Sequence, residues 1–243
     1  MLSAPARAAA DAYWARVFGC APERLRPAEP LVLPHSPELA DFAGAYLHSF
    51  GAAPIVSLPR SLVDSHGEPA AAAARDGLGD EARWRAVFGA RVEAVVGPAA
   101  IRYADAGTLR PLPPDPGTRL LAPDDADALD VLRRACMPEE WEHGGSELSD
   151  GPVAGVFADG VLAAAAGYEV WGETIAHIAV VTHPAFRGRG LGAAAVSRIA
   201  AEAVERGLLA QYRTLEANAP SLAIADRLGF QPYARSLAVR LAL

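Results

Sequence analysis

The sequence predicts an α/β protein in which strands and amphipathic helices follow one another, and three stretches carry that prediction. The apolar, β-branched run Ile178-Ala-Val-Val-Thr182 stops just before Pro184, and the loop Arg187-Gly-Arg-Gly-Leu-Gly192 then opens straight into an alanine-rich helix. Residues 153–157 and 162–168 flank Asp159-Gly160, a pair suited to the positive φ angles of a tight hairpin. In the helix from Leu191, Val196, Ile199, Ala200, Ala203 and Val204 share one stripe at the helical period, and Gly207 stops it.

In order from the N-terminus, residues 1–18 are alanine-rich, with Arg7, Asp11 and Arg16 scattered through them. They lack the continuous apolar segment of a secretory signal, and Trp14, Val17 and Phe18 predict a short helix docked on the body. Residues 31–33 and 55–58 predict short buried strands. Asp80 predicts the cap of a helix that presents Trp84, Val87 and Phe88 and ends at Gly89. Residues 92–96 and 100–103 predict two strands around Gly97-Pro98. Pro111, Pro113, Pro114 and Pro116 then crowd a stretch that predicts a semi-rigid linker. The expected organisation is a smaller α/β domain over 1–106, a linker over 107–118 and a second domain over 119–243. In the latter, residues 119–122 predict a strand and Pro123-Asp-Asp a helix start with acids in its first turn, where the helix dipole favours them. Trp171-Gly172 turns the chain into a strand over 174–182, and 208–215 and 237–243 predict the last two strands.

Half of the 243 residues are apolar, so a packed core is expected. No apolar run reaches the ~20 residues that span a bilayer, and a membrane partner is not expected. A net charge of −7, with acids in both halves, argues against nucleic acid. Cys20 and Cys136 make neither a disulfide framework nor a metal site, so no metal is expected and a cytoplasmic setting fits. All 22 basic residues are arginine, which excludes a lysine base or Schiff-base former.

The arginine–glycine loop has the chemistry of a pyrophosphate cradle. Gly188, Gly190 and Gly192 remove side chains where backbone N–H groups would meet a ligand. The helix N-terminus adds partial positive charge, and Arg187 and Arg189 bring planar donor forks. Residues 188–193 satisfy the loose dinucleotide pattern G-x-G-x-x-G/A, but that pattern belongs in the first strand-turn-helix of a longer doubly wound unit than follows here. The other match is R-x-x-G-x-G over Arg187–Gly192, after a strand ending in Val-Val-Thr-His-Pro. With the downstream segment Leu215-Glu-Ala-Asn-Ala-Pro-Ser-Leu-Ala-Ile-Ala-Asp-Arg-Leu-Gly-Phe230, it resembles the GNAT superfamily of N-acetyltransferases over about residues 119–243.

That resemblance implies a mixed, mainly antiparallel sheet flanked by helices, preceded here by an N-terminal domain that could be a degenerate copy of the same fold. It implies acetyl-CoA as cofactor and direct transfer of its acetyl group to a primary amine in a ternary complex. The alternative is a non-catalytic acyl-CoA-binding or regulatory protein. Val180, Val181 and Thr182 would offer backbone groups to the pantetheine arm, by strand addition. Arg187, Gly188, Arg189, Gly190, Leu191, Gly192 and Ala193 would wrap the diphosphate. Asn218 would meet the pantetheine region or cap the helix that Pro220 begins, and Ser221 would accompany it. For the proton on the amine the candidates are Glu173 and His177, with Glu169 nearby, although alternation from Thr182 puts His177 on the opposite face. Where many members carry an acid tyrosine, this chain has Ala225; Tyr212 and Tyr233 lie near in sequence. Trp141, Glu142 and His143, in the stretch Met137–Ser146, are the candidates for gripping the acceptor. Nine carboxylates from Asp124 to Asp150, against Arg133 and Arg134, would favour a cationic one. A small-molecule amine and a protein N-terminal amine both remain open as acceptors, as does a homodimer.

Overall fold

The computed structural model describes residues 1–75, 78–113, 115–145, 148 and 151–242, leaving out the side chain of His143. In chain order the elements are α1 Ala4–Phe18, β1 Leu31–Pro34, β2 Gly44–Ser49, β3 Pro54–Leu58, α2 Arg60–Arg75, α3 Glu81–Phe88, β4 Val92–Ala104, β5 Thr118–Leu120, α4 Ala126–Ala135, α5 Pro138–Gly144, β6 Val153–Ala158, β7 Val161–Trp171, β8 Ile175–Thr182, α6 Leu191–Glu205, β9 Leu209–Leu215, α7 Ala219–Arg227 and β10 Gln231–Leu241. They sort into two compact units that do not follow one cut in the sequence. One comprises Met1–Ala6, Arg102–Arg213 and Ala219–Gln231; the other comprises Arg7–Ile101, Thr214–Asn218 and Pro232–Leu243.

In the unit built on Arg7–Ile101 the strands run in the order β1-β3-β2-β10-β4. β1 pairs parallel with β3, while β2 pairs antiparallel with β3 and β10. The return of β10 explains why residues 232–243 group here and not with the second half. Gly44 lies so close to β10 that a Cβ would come within 1.9 Å of the Val239 carbonyl oxygen. Asp80 caps α3 by accepting from the Ala82 N–H at 3.0 Å, and Gly89 ends it at a φ of 64°, as expected. Gly97-Pro98 does not break β4 into two strands. Gly97 takes a φ of 123°, and a Cβ there would lie 2.9 Å from the Ser236 carbonyl oxygen, so the strand passes by virtue of the missing side chain. α2 was not expected; Ala70, Ala73 and Ala74 form its buried face at i, i+3, i+4 spacing. Trp84 and Phe88 pack in the same core.

The unit built on Arg102–Arg213 has the strand order β9-β8-β7-β6-β5. β8 pairs parallel with β9, and every other pair is antiparallel. α6 buries Ala195, Val196, Ile199, Ala200 and Ala203 against one face, where Ala176, Ile178, Tyr168 and Tyr212 lie. Leu132 of α4 packs with Leu162, Ala165 and Val181 on the other. Asp159 and Gly160 turn the β6–β7 hairpin at φ 53° and 77°. Residues 107–118 are not a free spacer. The Leu112 N–H donates to Ser197 Oγ of α6 at 2.7 Å, and the Arg110 N–H donates to the Leu228 carbonyl at 2.9 Å. Prolines remove donors from this stretch, and the remaining N–H groups anchor it. No helix among the described residues is long and apolar enough to cross a membrane.

The anchored stretch also fixes Gly229 in the Leu-Gly-Phe turn. Its φ is 83°, and a Cβ would fall 2.2 Å from the Thr108 carbonyl oxygen. Gly229→Ala is therefore expected to lower stability by more than about 2 kcal/mol, from left-handed strain plus the backbone clash. Urea unfolding monitored by circular dichroism would measure the loss.

Candidate functional site

β8 keeps two partners for only half its length. Its register with β9 covers Ile175↔Leu209 to Ile178↔Tyr212 and ends there. On the other side the register with β7 continues unbroken from Trp171↔Ile175 to Ala164↔Thr182. Residues 179–182 therefore form a strand edge, ~13 Å long at ~3.3 Å per residue, with no β9 partner among the described residues. The His183 N–H donates to the Ala163 carbonyl at 2.9 Å, so odd-numbered residues of β8 turn their backbone groups toward β7. Even-numbered residues turn theirs the other way, as the Leu209 N–H on the Thr174 carbonyl at 2.9 Å shows. The edge is thus made by Val180 and Thr182. Val181 is different from what the sequence suggested: its backbone serves β7, and its side chain is buried in the core beneath α4.

The loop after β8 supplies the second component. Gly188 and Gly190 take φ angles of 76° and 79°, and no side-chain bond caps the helix at Gly190. The first four N–H groups of a helix lack internal acceptors, and the first internal bond of α6 runs from Ala194 to the Gly190 carbonyl at 3.2 Å. The amides of Leu191, Gly192 and Ala193 therefore belong to a donor-rich helix start. Gly192 has a packing role that the sequence did not separate from the others. A Cβ there would lie 2.9 Å from Thr182 Oγ1 and 3.7 Å from Ile224 Cδ1, so its bare Cα lets α6 approach β8 and α7.

Three guanidinium groups border this loop. Arg187 donates from Nε to the Thr182 carbonyl at 3.3 Å and pairs through Nη2 with Glu140 of α5 at 2.8 Å. Arg189 pairs with Asp159 at 3.5 Å and lies over the Phe186 ring. Both pairs are half-exposed, and such pairs are worth ~0–1 kcal/mol, so a multiply charged anion can displace the carboxylates. Arg227, in the last turn of α7, was not singled out from the sequence. Its Nη1 comes within 4.0 Å of where a Cβ on Gly190 would sit. Only the packing of α7 beside α6 brings it there.

The expected proton-handling residues are spread along β8. Glu173 sits at a φ of 66° in the β7–β8 turn, at the end of the strand opposite the loop. The structure does not bring it to the edge at Val180 and Thr182. His177 does lie on the face opposite Thr182, because the β7–β8 register carries no bulge. Its ring stacks on Trp171 with centroids 3.8 Å apart. Nδ1 donates to Gln211 Oε1 at 2.7 Å, and Gln211 Nε2 donates to Tyr103 Oη at 2.6 Å. Burial, abetted by the charge of Arg213 and opposed by the bond to Gln211, pushes the His177 pKa down to about 4. The ring is neutral at pH 7. Glu169, opposite His177 on β7, accepts from Trp171 Nε1 at 3.0 Å.

Ala225 is fully buried in the core beside α6 and has no chemistry to offer. One turn earlier on α7, the Ser221 hydroxyl lies 2.8 Å from the hydroxyl of Tyr212. Asn218 groups with the other unit, where its N–H donates to the Leu215 carbonyl at 2.9 Å. In the segment expected to grip the acceptor, Trp141 is half-buried against the α4 core and Glu142 is exposed. The side chain of His143 lies outside the described residues, as does Ser146. Gly144 lies against the strand edge, where a Cβ would come within 2.7 Å of the Val180 carbonyl oxygen. The acidic stretch is partly neutralised. Asp125 pairs with Arg119, which holds its carboxyl down to about 2. Asp130 pairs with Arg134, and Glu140 with Arg187, which lowers the Glu140 pKa. Glu147 and Asp150 lie outside the described residues. No cluster of three or more metal-ligating side chains occurs among the described residues.

Residues 122–230 match the family model described as "Acetyltransferase (GNAT) family". Among solved structures the chain is similar to a putative acetyltransferase from the GNAT family of Novosphingobium aromaticivorans DSM 12444. The two are 28% identical over 63% of this chain and 68% of that one, with a TM-score of 0.50. An acetyltransferase from the GNAT family of Colwellia psychrerythraea shares the fold at 14% identity over 76% of this chain and 75% of that one, with a TM-score of 0.51. No curated protein matches the sequence.

The buried His177 makes stability depend on pH. A histidine at about 4 in the folded chain, against 6.5 when free, leaves the native state unprotonated while the unfolded state takes up a proton. Its contribution is complete above pH 6.5 and is lost as pH falls toward 4. The slope from this one group is at most about 1.4 kcal/mol per pH unit. His177→Gln should remove that slope, which denaturant titrations across the window would reveal as a flatter profile than that of the unsubstituted protein.

Proposed function

From the premise that residues 122–230 belong to the acetyltransferase (GNAT) family, we propose that this protein binds acetyl-CoA and transfers its acetyl group to a primary amine in a ternary complex. One observation carries this reading: β8 parts from β9 after Ile178↔Tyr212 and leads directly into an uncapped, glycine-lined helix start. An extended amide-bearing chain ending in a diphosphate has that shape. The residues fit the group. The left-handed Gly188 and Gly190 turn the loop without side chains, and a Cβ at either would meet no backbone. Val180 and Thr182 would pair with the pantetheine amides, and the amides from Gly188 to Ala193 would hold the diphosphate with Arg187, Arg189 and Arg227 around them. When bound, acetyl-CoA supplies an activated thioester carbon.

The chain's own groups do the rest. A backbone N–H on the edge at Val180 would polarise the carbonyl under attack, where developing negative charge makes a fixed donor most valuable. An amine with a pKa near ~10 must shed a proton before it attacks. His177, neutral at pH 7 and with a pKa of about 4, is too weak a base to hold that proton. Its part is to orient the amine or a water that carries the proton off, with Nδ1 fixed by Gln211. Glu173, in its distant turn, takes no part. The acceptor would approach from the side of α5, a primary amine on a small molecule or at a protein N-terminus. The second reading, binding without transfer, draws on the buried Ala225 and is separated by thiol release.

Isothermal titration with CoA tests the cradle. Arg189→Glu with Gly190→Asp reverses one charge and puts a side chain at a left-handed position. Together these should weaken CoA binding at least ~100-fold, about 2.8 kcal/mol, while left-handed strain of about 1–2 kcal/mol lowers the melting temperature of the free protein by only several degrees and leaves it folded. Undiminished binding would overturn the assignment of this loop. Release of free thiol from acetyl-CoA with any member of a primary-amine panel supports transfer, and binding without release supports the second reading.

A further inference from the structure

Resting on the reading of β8 and the loop after it as the CoA site, we propose that α5 is an autoinhibitory strap that competes with CoA. Two contacts from this one short helix reach that site. Glu140 of α5 pairs with Arg187 Nη2 at 2.8 Å. Gly144, at the end of α5, lies against β8, where a Cβ would come within 2.7 Å of the Val180 carbonyl oxygen and 3.4 Å of Val181 Cγ1. Residues four apart share a helix face, so a single side of α5 makes both contacts. The first occupies a guanidinium that the diphosphate would use. The second crowds a carbonyl that a pantetheine amide would use.

Each contact has the chemistry of a competitor. The Glu140 carboxylate presents Arg187 with anionic oxygens of the same kind as a phosphate. Its hydrogen bond to Arg187, with another from the Met137 N–H, holds its pKa below the ordinary value, so it is ionised at neutrality. At Val180 the strand edge faces away from β7, beyond the last β9 pairing at Ile178↔Tyr212. Gly144 approaches the Val180 oxygen as backbone alone, and any side chain there would strike it. A pantetheine N–H must come to ~2.9 Å of the same oxygen, so the two contend for the space around it.

The strap can also let go without unfolding. The side chains of Glu140 and Arg187 are 38% and 49% exposed, and a pair so open to water is weak. When the diphosphate takes Arg187, the Glu140 carboxylate keeps the Met137 N–H, 3.1 Å away, as the cap of its own helix. Trp141 packs with the core beneath α4, with the Arg133 guanidinium 6.0 Å from its ring centroid. That anchor retains α5 while its Glu140–Gly144 side lifts from β8. The free protein therefore divides between covered and open forms, and the apparent CoA affinity scales with the open fraction.

Calorimetric CoA titrations of the unsubstituted protein and its variants test the strap. Glu140→Gln keeps an amide oxygen for the Met137 N–H but loses the charge that holds Arg187, and should bind CoA about threefold tighter. Gly144→Ala puts a methyl group where the Val180 carbonyl stands, so α5 cannot seat, and a similar gain is expected. In an Arg187→Ala background, Glu140→Gln should bring no gain, because the carboxylate then has no guanidinium to withhold. Unchanged or weaker binding in either single variant would overturn the strap while leaving CoA binding intact. A gain from Glu140→Gln that persists without Arg187 would overturn it too, since it would reflect only a negative charge removed from the surroundings of a polyanion. If Gly144→Ala does not fold, Glu140→Gln with and without Arg187 decides. If no protein in the set binds CoA, this inference and the reading beneath it fall together.

Discussion

The parting of β8 from β9 is the constraint on which the site depends. A strand inside a sheet normally satisfies its N–H and C=O groups on both sides, and backbone groups left unpaired away from water are costly. Here the even-numbered residues beyond Ile178 lose their strand partner while those facing β7 keep theirs. What remains is a rigid, one-sided row of backbone donors and acceptors, held flat by the β7 ladder. The Thr182 carbonyl is met by Arg187, and the Val180 carbonyl lies beside Gly144. A ligand with alternating amides can complete the rest. The same geometry sets the position of the helix start, because Gly192 lets α6 come within reach of Thr182.

The charge pattern follows from this arrangement. The protein as a whole carries −7, yet the loop gathers Arg187, Arg189 and Arg227. Two of these are held by Glu140 and Asp159 on exposed pairs of small net worth. Such pairs keep the guanidinium groups near the loop without burying them. Under the proposed function a diphosphate, with more charge and better geometry for planar forks, would compete for them. Because Glu140 belongs to α5, Arg187 also ties α5 to the loop after β8.

Local signals in the sequence identified much of this and long-range ones little. The loop, the hairpin at Asp159-Gly160 and the stripe of α6 are written in neighbouring residues, and each stands where it was expected. The capped helix after Asp80 was legible for the same reason. What escaped depends on contacts far apart in the chain. Nothing near residue 237 announces that β10 will pair with β2, so the last strand was assigned to the wrong side of a linear boundary. Prolines between 111 and 116 read as a spacer, but anchoring to Ser197 and Leu228 arises only on folding. Arg227 and Glu140 reach the loop through helix packing, and Val181 was grouped with its neighbours because direction along a strand edge is invisible until the pairing is known.

Alternation along β8 also separates two kinds of chemistry. Its even face meets α6 and α7, where Ile178 and Tyr212 lie in an apolar layer that also holds the Thr182 hydroxyl and the Tyr212–Ser221 hydroxyl pair. Its odd face carries His177, stacked on Trp171 and tied through Gln211 to Tyr103. The two sets lie on opposite faces because consecutive side chains of a strand alternate, so the Tyr212 hydroxyl and the His177 ring are not neighbours.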